Sequence, residues 1–172
     1  MSSPRRILVT GGAGFIGSNF VLHLLREGDY DEIRILDALT YAGDLSNLSG
    51  ALEDSRVTFI EGDIADAEAV RKAVGGCDHV VNFAAETHVD RSLSAADPFL
   101  HSNIMGVYVL LECARETGVE KFLQISTDEV YGPVLDGFAA EDWPMNPSSP
   151  YSASKVSGEA LCNAYRVSFD VP

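Results

Sequence analysis

The chain has 172 residues, 46% of them hydrophobic and 22% charged, with 12 basic against 26 acidic side chains for a net charge of −14. A chain of this size buries roughly 70% of its unfolded surface within one domain, and no apolar run approaches the ~20 residues that span a bilayer. The acidic excess excludes nucleic acid and membrane surfaces as expected partners, so an anionic ligand must be held locally.

In chain order, "RILVT" (6–10), "IRILD" (33–37), "RVTFIEGD" (56–63), "HVVNFAA" (79–85) and "KFLQIST" (121–127) are short β-branched runs that read as buried strands. Helical spacing intervenes, first with Ile16, Phe20 and Leu24 and a stop at Gly28. Asp97-Pro98 and Ser149-Pro150 each put a capping side chain before a proline, predicting helices over 97–117 and 150–169. Residues 131–150, rich in Pro, Gly and acids, read as a long surface connection. Strand alternating with helix predicts an α/β, doubly wound parallel sheet of the Rossmann type, one dinucleotide-binding domain over 1–172.

The first strand runs into "VTGGAGFIG", which supplies Gly12-x-Gly14-x-x-Gly17 and, in the shifted frame, Gly11, Gly14 and Gly17. Glycine permits the tight turn and the close backbone approach, and the following helix start, at Phe15 and Ile16, stabilises a pyrophosphate. Asp37 closes the second strand, where a carboxylate accepts from adenosine ribose hydroxyls and repels a 2′-phosphate, favouring NAD over NADP. Bland readings remain open: a turn without ligand, and a polar strand end. If the strand order is 3-2-1-4-5, Asp63 and Ile64 lie beside the adenine, although Asp63 equally suits a turn cap. Ala84 and Ala85 either let a dinucleotide pass or serve helix–sheet packing.

Tyr151 and Lys155, spaced i,i+4 in "SPYSASK", share a helix face. A tyrosine needs its pKa lowered by about three units to act as a base near neutrality, and a nearby ammonium supplies that field. Ser126 or Thr127, at the end of the fifth strand, can hydrogen-bond the same substrate oxygen. Asp128 and Glu129 follow directly, two acids suited to opposite proton transfers, or only a polar strand exit. No pattern of metal ligands stands out. Cys77, Cys113 and Cys162 are odd in number and widely spaced, and "MSSPRRILVTGG" lacks the features of a secretion signal, so a reducing cytoplasm and buried, unreactive thiols are expected.

The stretches "TGGAGFIG", "DALTYAG", "FAAETHVDRS", "STDEVYG" and "PSSPYSASK" resemble the extended short-chain dehydrogenase/reductases, and within them the dTDP-glucose 4,6-dehydratases, over essentially the whole chain. The resemblance implies Tyr151 as the base at the sugar O4, with Lys155 tuning it and binding the nicotinamide ribose. It implies Glu129 as the base at C5, Asp128 as the acid at the C6 hydroxyl, and Thr127 as a sugar ligand. Ala38, Thr40, Ser102, Thr87 and the run Ala84 to Glu86 would contact cofactor or substrate; position 38 is alanine where the family generally carries lysine. The substrate implied is a nucleotide sugar, dTDP-glucose. Two other readings are a sugar-nucleotide C4 epimerase and a non-catalytic NAD-binding module. The family continues beyond "FDVP", so the resemblance implies that the C-terminal, sugar-nucleotide-binding part is absent from these residues, leaving either a fragment or a chain completed by a partner. The helices 97–117 and 150–169, apolar on more than one face, either pair with their copies in a homodimer or lie beneath that further part.

Overall fold

Five apolar runs form the strands of one sheet: β1 (Arg6–Thr10), β2 (Glu32–Asp37), β3 (Val57–Glu61), β4 (His79–Asn82) and β5 (Lys121–Gln124). The computed structural model describes residues 4–172; residues 1–3, which open the stretch read for a targeting signal, lie outside the described residues. The strand order is β3-β2-β1-β4-β5 with every neighbouring pair parallel, as the strand–helix alternation predicts. Successive side chains of β1 face opposite ways. Ile7 and Val9 enter a core with Val21 and Leu24 of α1 (Phe15–Glu27), while Leu8 enters a second core with α2 (Ala67–Val74), α5 (Val107–Thr117) and α6 (Pro150–Phe169). Both faces are therefore covered, which explains why the strands are apolar without alternation.

Several elements differ from expectation. Along α1 the buried face is Gly17, Ser18, Val21 and Leu24; Ile16, predicted on that stripe, is exposed. β4 ends at Asn82, where the backbone still pairs through Phe83 N–H to Thr10 O at 3.0 Å and Ile125 N–H to Asn82 O at 3.1 Å, and the buried Asn82 side chain adds to the pairing. Its Oδ1 accepts from the Thr10 hydroxyl and the Ala84 N–H, and its Nδ2 donates to Gln124 Oε1 at 2.8 Å. β5 likewise ends at Gln124, so residues 83–85 and 125–127 emerge from the sheet as irregular chain above its carboxyl edge.

The helix predicted over 97–117 is three pieces: α4 (Asp97–Leu100), a π-helical segment (His101–Gly106) and α5. Asp97 does not cap it, because Ala96 is already helical (φ −81°, ψ −28°) and Asp97 becomes the first residue inside. The serine cap on α6 is as expected: the Ser149 hydroxyl accepts from Ser152 N–H, and Ser152 Oγ accepts from Ser149 N–H in return. Between β4 and α4 lies the short α3 (Val89–Ser94). Among the described residues no helix is long and apolar enough to cross a membrane.

Candidate active site

In a sheet of this order the chain leaves β1 for β2 through α1 on one face and β3 for β4 through α2 on the other, so a crevice opens at the carboxyl ends of β1 and β4. A cleft of about 620 Å³, open to solvent, lies there and is lined from β2 by Asp37, Ala38 and Thr40, from β3 by Asp63 and Ile64, and from β4 by Ala84, Ala85 and Glu86. Gly11, Gly14 and Ser102 complete the predicted set that it brings together. Leu36, Ala42, Gly43, Gly62 and Phe83 also line it and were missed. Gly43 had a sequence signal, since it closes the quoted "DALTYAG"; a Cβ there would sit 2.8 Å from Asp37 Oδ1.

The glycines divide the work. Gly11 adopts φ +66° and passes so close to β4 that a Cβ would lie 2.5 Å from Ala84 N; a Cβ on Gly17 would lie 2.2 Å from Gly11 O, so Gly17 seats α1 on the turn rather than lining the cleft. Gly14 is different. A Cβ there meets only Gly11 O, at 3.3 Å, and the residue lines the cleft. As the N-cap of α1 it offers no side-chain acceptor, and the first turn carries no acid, leaving the N–H groups and the positive end of the helix dipole for an anion. Phe15 and Ile16, expected here, have exposed side chains and contribute this backbone. Asp37 is buried and accepts from Ala13 N–H at 2.8 Å and Leu39 N–H at 2.9 Å, which fixes its carboxylate at the cleft wall.

Beyond Ser102 the cleft gives way to the residues predicted for chemistry, which are not part of its lining. Lys155 is buried in α6 and donates from Nζ to Ile125 O at 2.7 Å, just past the end of β5. Burial lowers its pKa to about 8, against an opposing pull from Glu159. Tyr151, one turn earlier on the same helix, packs its ring edge-on against Phe99, centroids 6.1 Å apart. Asp128 and Glu129 open a single 3-10 turn (Asp128–Tyr131), where the Thr127 hydroxyl accepts from Glu129 N–H at 3.3 Å. Asp128 is exposed and Glu129 half-buried, so the adjacent acids have different environments. The Ser126 hydroxyl bonds to Glu159, a partner the sequence did not suggest. Thr87 stands half-buried between Glu86 and His88.

Asn103 joins the two regions. It is buried in the π segment, accepts from Glu86 N–H at 2.9 Å, and donates to Glu86 O and, at 2.9 Å, to Ser154 Oγ. The residue thereby ties the cleft wall at Glu86 to α6 at Ser154. Its only sequence signal is an amide in an otherwise apolar stripe.

The family model described as GDP-mannose 4,6 dehydratase matches residues 8–172. The low-salt glycan biosynthesis protein Agl12 of Haloferax volcanii is 52% identical over 166 residues, 96% of this chain and 53% of that protein. The dTDP-glucose 4,6-dehydratase of Mycobacterium tuberculosis is 50% identical over 169 residues, 96% and 50% of the two chains. Among solved structures, the dTDP-glucose 4,6-dehydratase DesIV of Streptomyces venezuelae, with NAD bound, superposes with a TM-score of 0.92 at 44% identity, covering 96% of this chain and 53% of that one. The UDP-glucuronic acid 4-epimerase of Bacillus cereus, with UDP-glucuronic acid and NAD, gives 0.90 at 35% identity, covering 97% and 54%. The chain thus spans about half the length of the curated relatives it matches.

Proposed function

We propose a function on one premise: the chain belongs to the GDP-mannose 4,6 dehydratase family. It is the NAD-binding Rossmann domain, residues 1–172, of an NAD-dependent sugar-nucleotide dehydratase acting on dTDP-glucose. The residues suit the cofactor: an uncapped helix start behind Gly14 for the pyrophosphate, Asp37 for the adenosine ribose, and Asp63 and Ile64 at the adenine end. Glu86 Oε2, buried at the cleft wall, has no hydrogen-bond partner among the described residues and only the Arg91 guanidinium 3.3 Å away, so it retains acceptor capacity. When bound there, NAD would supply the hydride chemistry: an acceptor for the hydride from the sugar C4 and a donor for its return to C6.

This chain's side chains handle the protons. Tyr151 removes the O4 proton, with Lys155 one helical turn away on the same helix. The ketone at C4 acidifies C5–H, so Glu129 removes that proton while Asp128 protonates the departing C6 hydroxyl, water is lost, and Glu129 gives the proton back to C5 as C6 is reduced. Thr127 and Thr87 hold the sugar. The observation that carries this reading is the pair Asp128 and Glu129 in unlike environments on one turn packed against the Tyr151 helix, because elimination needs an acid and a base one bond apart. The epimerase reading has the UDP-glucuronic acid 4-epimerase superposition in its favour, and epimerisation needs no C5 base.

The test is to incubate the full-length gene product with NAD and dTDP-glucose and follow the alkali-absorbing 4-keto product. Product from wild type and a fall of roughly 100-fold or more in Glu129→Gln, the usual scale for an acid–base residue, is the expected result. A C4-epimerised sugar nucleotide with no 4-keto product supports the epimerase instead, and 4-keto product undiminished in Glu129→Gln removes Glu129 as the C5 base.

A further inference from the structure

β2 and β4 flank β1, so their carboxyl ends stand two strand spacings apart, roughly 10 Å. The segments that leave them form the two walls of the cleft, with the Gly11–Gly14 turn as floor. Farther out the walls meet again. The Arg91 guanidinium of α3 lies flat over the Tyr41 ring, 3.5 Å from its centroid, and Arg91 Nη2 is 3.3 Å from Glu86 Oε2. That approach is close enough for charge attraction but misaligned for a hydrogen bond, which is why Glu86 Oε2 still counts as unpartnered. We propose that the Tyr41–Arg91 contact is a strap which closes a ring over the cofactor cleft and retains the bound nicotinamide dinucleotide.

The ring is anchored at both ends. On the β2 side, the Ala13 carbonyl of the glycine turn accepts from Asp44 N–H and Asn47 Nδ2, and Ala13 N–H donates to Asp37. On the β4 side, Asn103 holds Glu86 by both its N–H and its carbonyl. Each wall also contains a non-glycine residue with positive φ, Leu39 at 50° and His88 at 78°, a conformation that persists where the surroundings over-determine it. Between the anchors the strap lies at the surface: the Tyr41 residue is 52% exposed and the Arg91 side chain 43%. A guanidinium stacks by its face while its edge serves a carboxylate. A contact so placed opens and closes without disturbing either core.

The inference rests on the proposed dehydratase reading, in which NAD returns to its starting state each turnover and gains nothing by leaving. The test measures NAD dissociation by stopped flow in the full-length gene product, with Tyr41→Ala, Arg91→Met and the double variant, and with Tyr41→Phe as the ring-preserving control. Loss of a partly exposed cation–π contact predicts release faster by about tenfold. It also predicts no further gain in the double variant over Arg91→Met, and a wild-type rate in Tyr41→Phe. Thermal unfolding of the cofactor-free variants near the wild-type temperature separates release from misfolding. NAD-binding wild type with equal release rates in all variants overturns the strap alone; wild type that holds no NAD overturns the cofactor assignment and the strap with it.

Discussion

Lys155 combines two demands that pull in opposite directions. Its ammonium is useful beside Tyr151 only while charged, yet its burial favours the neutral amine and brings the pKa from 10.5 to about 8. The folded chain therefore binds this proton less tightly than the unfolded chain. Below about pH 8 both states are charged and the full desolvation cost weakens the fold; between about 8 and 10.5 the cost fades as pH rises. The interval corresponds to roughly 3 kcal/mol, from which the hydrogen bond to Ile125 O subtracts about 1 kcal/mol in a deletion. Lys155→Met is thus expected to be more stable than wild type at pH 7 by about 1–2 kcal/mol in urea unfolding, with the advantage lost by pH 10.5. An advantage of the same size at both pH values would contradict this account. The YxxxK spacing exposes the pair in the sequence, but not this cost, which depends on how α6 packs on the end of β5.

At the scale of the element, the glycine-rich turn separates folding from binding in neighbouring positions. A Cβ at Gly17 would lie 2.2 Å from Gly11 O and 2.9 Å from Gly12 Cα, both backbone atoms that cannot step aside. Gly17→Ala must push α1 off β1, and a loss of at least ~2 kcal/mol, the scale of strongly overpacked cores, is expected in thermal or urea unfolding. Gly14→Ala meets one carbonyl at 3.3 Å, at a residue that lines the cleft. It should fold within ~1 kcal/mol of wild type yet weaken NAD binding by at least tenfold in calorimetry, because the methyl occupies the approach to the helix start. Equal effects of the two changes on stability would refute this division. The sequence displays these glycines as one motif with one apparent purpose; the structure splits them by the atoms each one faces. The strand positions and the capped start of α6 were legible because spacing and cap chemistry are local, whereas the order 3-2-1-4-5 entered only as the one a doubly wound Rossmann sheet takes. The π segment was not, because it is set by what Asn103 bonds across the fold, and Asp97 misled because Ala96 extends the helix by one residue.

For the whole molecule, the charge and the apolar surface make opposing claims. One side of α5 and α6 enters the sheet core through Val107, Leu110, Leu111, Cys113 and Tyr165, which absorbs part of the apolar surface that the sequence left open for pairing. What remains outside is narrower: Leu100, Met105 and Tyr108 on one helix, and Ala153, Ala160, Ala164 and Val167 on the other. A homodimer through these helices, which we propose as the assembly, would bring two chains of net charge −14 together. Apolar contact favours that encounter while long-range repulsion opposes it, and salt shortens the repulsion to about 8 Å at physiological ionic strength. Association should therefore strengthen with added sodium chloride, the reverse of an interface built on ion pairs. Sedimentation equilibrium is expected to give twice the chain mass, with a dissociation constant that falls by several-fold between ~0.05 and ~0.5 M salt. Tyr108→Glu should yield the single-chain mass while leaving the unfolding midpoint of the dissociated chain unchanged, since Tyr108 is 41% exposed and lies outside both cores. If wild type sediments as one chain at every salt concentration, this face has another occupant or none.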